Sequence, residues 1–108
     1  MLFRSDFTKP EVADNIGVSA ANLKIVQNAM LNVTQDENGT AYPVFGDYKI
    51  KVAGKTGTAE NIGSDHATFI CYAPFDKPQV AVAVVLEHGM LGQYSMQVAK
   101  DLLDAYFG

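Results

Sequence analysis

Leu23, Val26, Met30 and Val33 recur at spacings of three and four, which predicts a helix with one apolar stripe. Ser19 stands in front of them as an N-cap, its hydroxyl able to accept a hydrogen bond from a free first-turn amide. The helix should fade near Thr34, and Asp36-Glu37-Asn38-Gly39 is a turn signal. From Tyr48 the period becomes two. Tyr48-Lys49-Ile50-Lys51-Val52-Ala53 alternates as a half-buried strand does, and the strand can continue through Gly54-Lys55-Thr56-Gly57-Thr58-Ala59. The glycines would weaken that strand and admit another backbone closely.

Two further strands are predicted, Ala67 to Ala73 and Gln79 to Glu87, with Pro74 to Pro78 as a hairpin connection and Asn61 to Asp65 as a polar loop. The second strand is β-branched at nearly every other residue and almost wholly apolar, so it is expected to be central and covered on both faces. After His88-Gly89 and a turn near Gly92, Met96, Ala99, Leu103 and Tyr106, with Leu102 beside them, mark one face of a closing helix from Gln93 to Phe107. The first 18 residues, with Pro10 and Gly17, have no period and read as an irregular lead-in with a short helical turn around Glu11 to Asn15. The expected class is α/β (α+β), an antiparallel sheet of at least three strands packed against the carboxy-terminal helix.

Composition narrows the function classes. With 108 residues, 48% hydrophobic and 19% charged, the chain suits one globular domain or part of a larger one. Net charge is −4 and the eight Lys and Arg are scattered, which gives no basic footprint for nucleic acid. Cys71 is the only cysteine, so neither an internal disulfide nor a thiolate metal cluster can form, and its neighbours suggest a small buried hydrophobe. The longest apolar run, Val80 to Leu86, is far short of the ~20 residues of a membrane helix, and Met1 to Asp6 lacks the features of a signal peptide. This chain is therefore expected to be soluble.

The strongest chemical signal is Gly54-Lys55-Thr56-Gly57-Thr58, a lysine beside two hydroxyls and flanked by glycines. A nucleotide P-loop fails on spacing, because it needs glycine where Lys49 stands and a helix directly after the lysine. The other candidate is the Lys-Thr-Gly element of serine acyl-transfer enzymes. His66 and His88, with Asp65, Glu87 or Cys71, fit no familiar metal spacing, and Asp65-His66 without a serine partner is no triad. Met90, Met96, Tyr94 and Tyr106 read as packing residues.

Val52-Ala53-Gly54-Lys55-Thr56-Gly57-Thr58-Ala59-Glu60 resembles the extended form of this motif in penicillin-binding proteins of the class B, D,D-transpeptidase type. Asn38-Gly39-Thr40-Ala41 is similar to the family's segment preceding that strand. His66 to Pro74, Val80 to Glu87 and Gln93 to Phe107 resemble its next two strands and closing helix, so the likeness runs in order over residues 9 to 107. It implies that residues 1–108 are the carboxy-terminal fragment of a transpeptidase domain acting in peptidoglycan cross-linking. The parent would be a serine enzyme, membrane-anchored with its catalytic domain outside the cytoplasm, needing no cofactor or metal. Its sheet would have five strands beside an all-helical subdomain.

The resemblance also implies roles. Lys55, Thr56, Gly57 and Thr58 would bind the stem peptide or a β-lactam, with Lys55 supplying charge and the Thr56 and Thr58 hydroxyls holding a carboxylate. Gly57 would leave room for the ligand, and the backbone N–H of Thr58 would be one of two oxyanion-hole donors. The family's Ser-x-x-Lys is absent: three residues after Ser5, Ser19, Ser64 and Ser95 stand Thr8, Asn22, Ala67 and Val98. Ser-x-Asn is absent too, the corresponding residues being Phe7, Ala21, His66 and Gln97. With no nucleophile, this fragment is expected to be inactive without the remainder of the domain. A free-standing peptide-binding module, a serine β-lactamase-related fragment, and a generic α/β domain with an accidental Lys-Thr-Gly stay open as alternatives.

Overall fold

The computed structural model describes residues 9–59, 65–87 and 92–108. Its elements are helices α1 (Ala20–Gln35) and α2 (Tyr42–Phe45), strands β1 (Ala53–Ala59), β2 (His66–Ala73) and β3 (Val80–Leu86), and helix α3 (Gly92–Phe107). The strands form an antiparallel sheet in the order β1-β2-β3, as expected of successive hairpin-linked strands. The α/β class, the three-stranded antiparallel sheet and the closing helix match the expectation.

Register sorts the sheet into two faces, because directly paired residues point the same way. Phe69 pairs with Thr56 and Val84, and Cys71 with Gly54 and Val82. On this face Phe69, Cys71, Ala73 and Val84 are buried with Met96, Ala99 and Leu103 of α3. Phe45 of α2 completes the core by stacking on Phe69 at 5.6 Å, with Tyr48 edge-on to it at 5.7 Å. Such ring pairs contribute about 0.5–1.5 kcal/mol each beyond the area they bury. The Tyr48 hydroxyl also donates to Asp104 Oδ1 at 2.7 Å, tying the approach to β1 onto α3.

α1 lies by the other face, along β1. Ser19 Oγ accepts from the Asn22 amide at 3.2 Å, which is the cap its position predicts. Near the other end, the buried Thr34 hydroxyl donates to the Val52 carbonyl at 2.6 Å and fixes α1 to the start of β1.

Several local expectations are corrected. The alternating stretch from Tyr48 is not strand until Ala53, although its parity holds, with Val52 buried and Lys49 and Lys51 exposed. Continuing the β1–β2 register would set Lys51 opposite Pro74, which has no N–H to give to the ladder. Among the described residues β3 is at an edge with β2 in the middle, and its α3-facing side is the covered one. Residues 9–19 hold no helical turn at Glu11 to Asn15. The first half of the α1 stripe is exposed, Leu23 by 44% and Val26 by 52%. On α3, Tyr106 is exposed, and Phe107, four residues after buried Leu103, takes the place against the core. α2 was not foreseen, because four residues with Pro43 in the first turn are too short to carry a period. The expected loop at Asn61 to Asp65 falls, except for Asp65, outside the described residues, as do His88-Gly89 and Met90.

Candidate functional site

Among the described residues β1 is an edge strand, so main-chain groups on the side away from β2 are unpaired by any strand. Lys55, Thr56, Gly57 and Thr58 occupy its middle. Lys55 and Thr58 are exposed, and Thr56 and Gly57 are half-buried. Lys55 and Gly57 share the α1 side of the sheet with Ile70 and Thr68, while Thr56 and Thr58 share the other side with Phe69 and Ala67.

Both glycines of the motif lie close against β2. A Cβ at Gly54 would lie 2.6 Å from the Phe69 ring, and one at Gly57 would collide with the Thr68 hydroxyl. The contact at Gly57 is with a rotatable side-chain hydroxyl, so β2 constrains this position less tightly than Gly54.

The Lys55 ammonium donates to the Thr56 carbonyl at 2.6 Å, which holds its charge at the strand edge. It borders two hollows. One, about 440 Å³, has polar walls from Asn32, Asp36, Asn38, Thr40 and Thr56. The other, about 460 Å³, is apolar and lies between α1 and the sheet, against Ile25, Val26, Met30, Val33 and Ile70.

The polar hollow is walled by the turn that ends α1. The Asp36 amide donates to the Asn32 carbonyl at 3.0 Å, and the Ala41 amide to the Val33 carbonyl at 2.9 Å, so two otherwise unpaired helix carbonyls are satisfied. Asp36 Oδ1 accepts from the Asn38 amide at 2.8 Å, and the Asp36 carbonyl from the Gly39 amide at 2.7 Å. Gly39 is pressed so hard onto the helix end that an added Cβ would lie 2.6 Å from the Asn32 carbonyl oxygen. The next residue, Thr40, meets Thr56 hydroxyl to hydroxyl at 3.2 Å. Neither Thr40 nor Asp36 was singled out from the sequence as a site residue. The only signal was the position of Asn38-Gly39-Thr40-Ala41 after an amphipathic helix, and its link to β1 depends on the fold.

The other chemical candidates do not gather. Cys71 is buried in the core and desolvation pushes its thiol up to about 11, which leaves it protonated and inert at neutral pH. His66 is half-buried on β2. Among the described residues no three His, Cys, Asp or Glu side chains are grouped to hold a metal ion, and no helix is long and apolar enough to cross a membrane.

The family model for the penicillin binding protein transpeptidase domain matches residues 5–107. Peptidoglycan D,D-transpeptidase MrdA of Escherichia coli K12 is 30% identical over 112 residues, covering 89% of this chain and 17% of that protein. The crystal structure of Pseudomonas aeruginosa PBP2 in complex with WCK 5153 superposes with a TM-score of 0.78 at 34% identity, over 94% of this chain and 23% of that one. Penicillin-binding protein 2B of Streptococcus pneumoniae R6 gives the same TM-score at 26% identity, over 87% of this chain and 17% of its own. The chain thus spans about a sixth of the length of the curated relatives it matches.

Proposed function

The chain belongs to the penicillin-binding protein transpeptidase family, class B type, and from that premise we propose that it forms the carboxy-terminal wall of an acyl-transfer cleft that cross-links peptidoglycan. The observation that carries this reading is Lys55-Thr56-Gly57-Thr58 on an edge strand beside a polar hollow. A stem peptide adds to the free edge of β1 through main-chain hydrogen bonds. Lys55 supplies positive charge, and the Thr56 and Thr58 hydroxyls hold the ligand's carboxylate. The Thr58 N–H donates to the oxyanion, a contact whose loss costs ~10²–10³ in rate where such donors have been removed.

The nucleophilic serine, its lysine and the Ser-x-Asn element lie outside this sequence. The serine oxygen attacks the penultimate D-alanine carbonyl and the terminal D-alanine leaves with a proton. An amine of a neighbouring strand then displaces the serine. β-Lactams acylate the same oxygen by opening their ring. This chain alone is catalytically silent, and the remainder of the domain covers its exposed apolar face. The parent is membrane-anchored with the domain outside the cytoplasm, as the family implies.

The test is the acylation rate of the polypeptide encoded by the complete reading frame, followed with a fluorescent penicillin. Lys55→Ala and Thr58→Val are expected to lower it at least tenfold while leaving thermal stability within error. Wild-type rates in both variants would sink the reading. The free edge of β1 equally suits a binding module that takes an extended peptide without chemistry. That reading predicts labelling of no serine anywhere in the polypeptide, with peptide-induced amide shifts confined to residues 52 to 59.

A further inference from the structure

We propose that Thr40 is a positioning residue for Thr56, a role that rests on reading Thr56 as a carboxylate-binding hydroxyl. The two Oγ1 atoms are 3.2 Å apart, within hydrogen-bond reach across 16 positions of sequence. A hydroxyl has one proton and two lone pairs. When Thr40 donates to Thr56, the Thr56 oxygen is satisfied as an acceptor and its own proton is free for an anionic ligand. Accepting that bond also polarises the Thr56 O–H and strengthens it as a donor. A hydroxyl that would otherwise sample several orientations is thereby aimed before the ligand arrives.

Thr40 can do this because its backbone is held on both sides. Gly39 lies against the last turn of α1, where any side chain would collide with the Asn32 and Val33 carbonyls. Ala41, buried in the core, donates to Val33. The bond from Thr34 to Val52 fixes α1 relative to β1, one residue before the strand begins. The helix end, the turn and the strand are therefore tied together by these contacts, and Thr40 and Thr56 meet where they join. Pre-organisation of this kind matters most for a group whose partner is charged.

The experiment uses the polypeptide from the complete reading frame and two ligands, benzylpenicillin and its methyl ester, which lacks the carboxylate. Thr40→Val is expected to slow acylation by benzylpenicillin about 3- to 10-fold, the effect of one lost hydrogen bond in a network. Acylation by the ester should change by less than about twofold, and Thr40→Ser should restore the rate with benzylpenicillin. Thr40→Val added to Thr56→Val should cost nothing more than Thr56→Val alone, since a pair that acts as one is not additive. Thr40→Ala repeats the measurement should the valine variant fail to fold. Equal losses with both ligands, an additive double mutant, or an unchanged rate with benzylpenicillin would overturn the assignment. Absence of acylation in the wild type would instead overturn the functional reading, and this assignment with it.

Discussion

Under α3 the sheet presents Phe69, Cys71, Ala73 and Val84, all nearly closed to solvent. On the opposite face of the same strands Ile70 is 50% and Val85 64% exposed, and Ala81 and Ala83 are exposed beside them. Both faces are apolar in composition, yet only one has a core built on it. α1 approaches the second face and stops short of closing it, leaving an apolar hollow of about 300 Å³ between Met30 and Ile70, Tyr72 and Ala81–Ala83. A contiguous apolar surface of this sort is uncommon on an isolated domain and marks a contact surface. Hydrophobic pattern thus records where a chain is adapted to be buried, whether or not the chain itself supplies the cover. It is also the basis for proposing that the rest of a transpeptidase domain lies against this face.

Truncating the closed face should have the largest effect. Phe69→Ala removes a ring that stacks on Phe45 and fills the centre of the core. A loss of about 3–5 kcal/mol is expected, a large fraction of the stability of a domain this size. Urea unfolding should find the midpoint well below that of the wild type, and a midpoint close to wild type would mean the core lies elsewhere. Alkaline pH probes the same face more gently. Cys71 has its thiol raised by burial from 9.0 to about 11, so its contribution is complete below pH 9 and is lost as pH rises to about 11. The unfolded thiol gives up its proton first, which pulls the equilibrium towards unfolding by about 2–3 kcal/mol at the end of that window. Cys71→Ala should flatten the fall between pH 9 and 11 in a melting series, and an unchanged slope would assign it to other groups.

Ser19→Ala tests the start of α1, on the open side, and should cost about 1 kcal/mol because only one cap is lost. The smallest change is expected on the open face itself. Val85→Thr should shift the stability of this chain by no more than about 0.5 kcal/mol, as for other exposed positions. In the complete polypeptide the same substitution should cost measurably more. Equal costs in both would remove the reason for placing a cover there.

The sequence was most legible where period and cap agreed. Ser19 and the α1 stripe, the two apolar strands, and Met96-Ala99-Leu103 on α3 all lie in the elements their patterns predict. It misled where pairing overrides local pattern. Tyr48 to Val52 has strand parity, but the register would set its Lys51 opposite Pro74, beyond the ladder. β3 has the composition of a central strand, and its uncovered face cannot be read from that composition alone. At the site, Lys55 to Thr58 were visible because their types and order are unusual together. Thr40 was not, because a threonine after a turn gains its meaning only from the 3.2 Å contact that the fold creates.

The central claim is that this chain carries one wall of an acylation site and needs a serine from outside it. The direct test is intact mass after incubation with benzylpenicillin, on the 108-residue chain and on the polypeptide of the complete reading frame. No adduct is expected on the chain alone, and one penicilloyl group on the longer polypeptide, attached to a serine outside residues 1–108. A stoichiometric adduct on the chain alone, or none on the longer polypeptide, would contradict it.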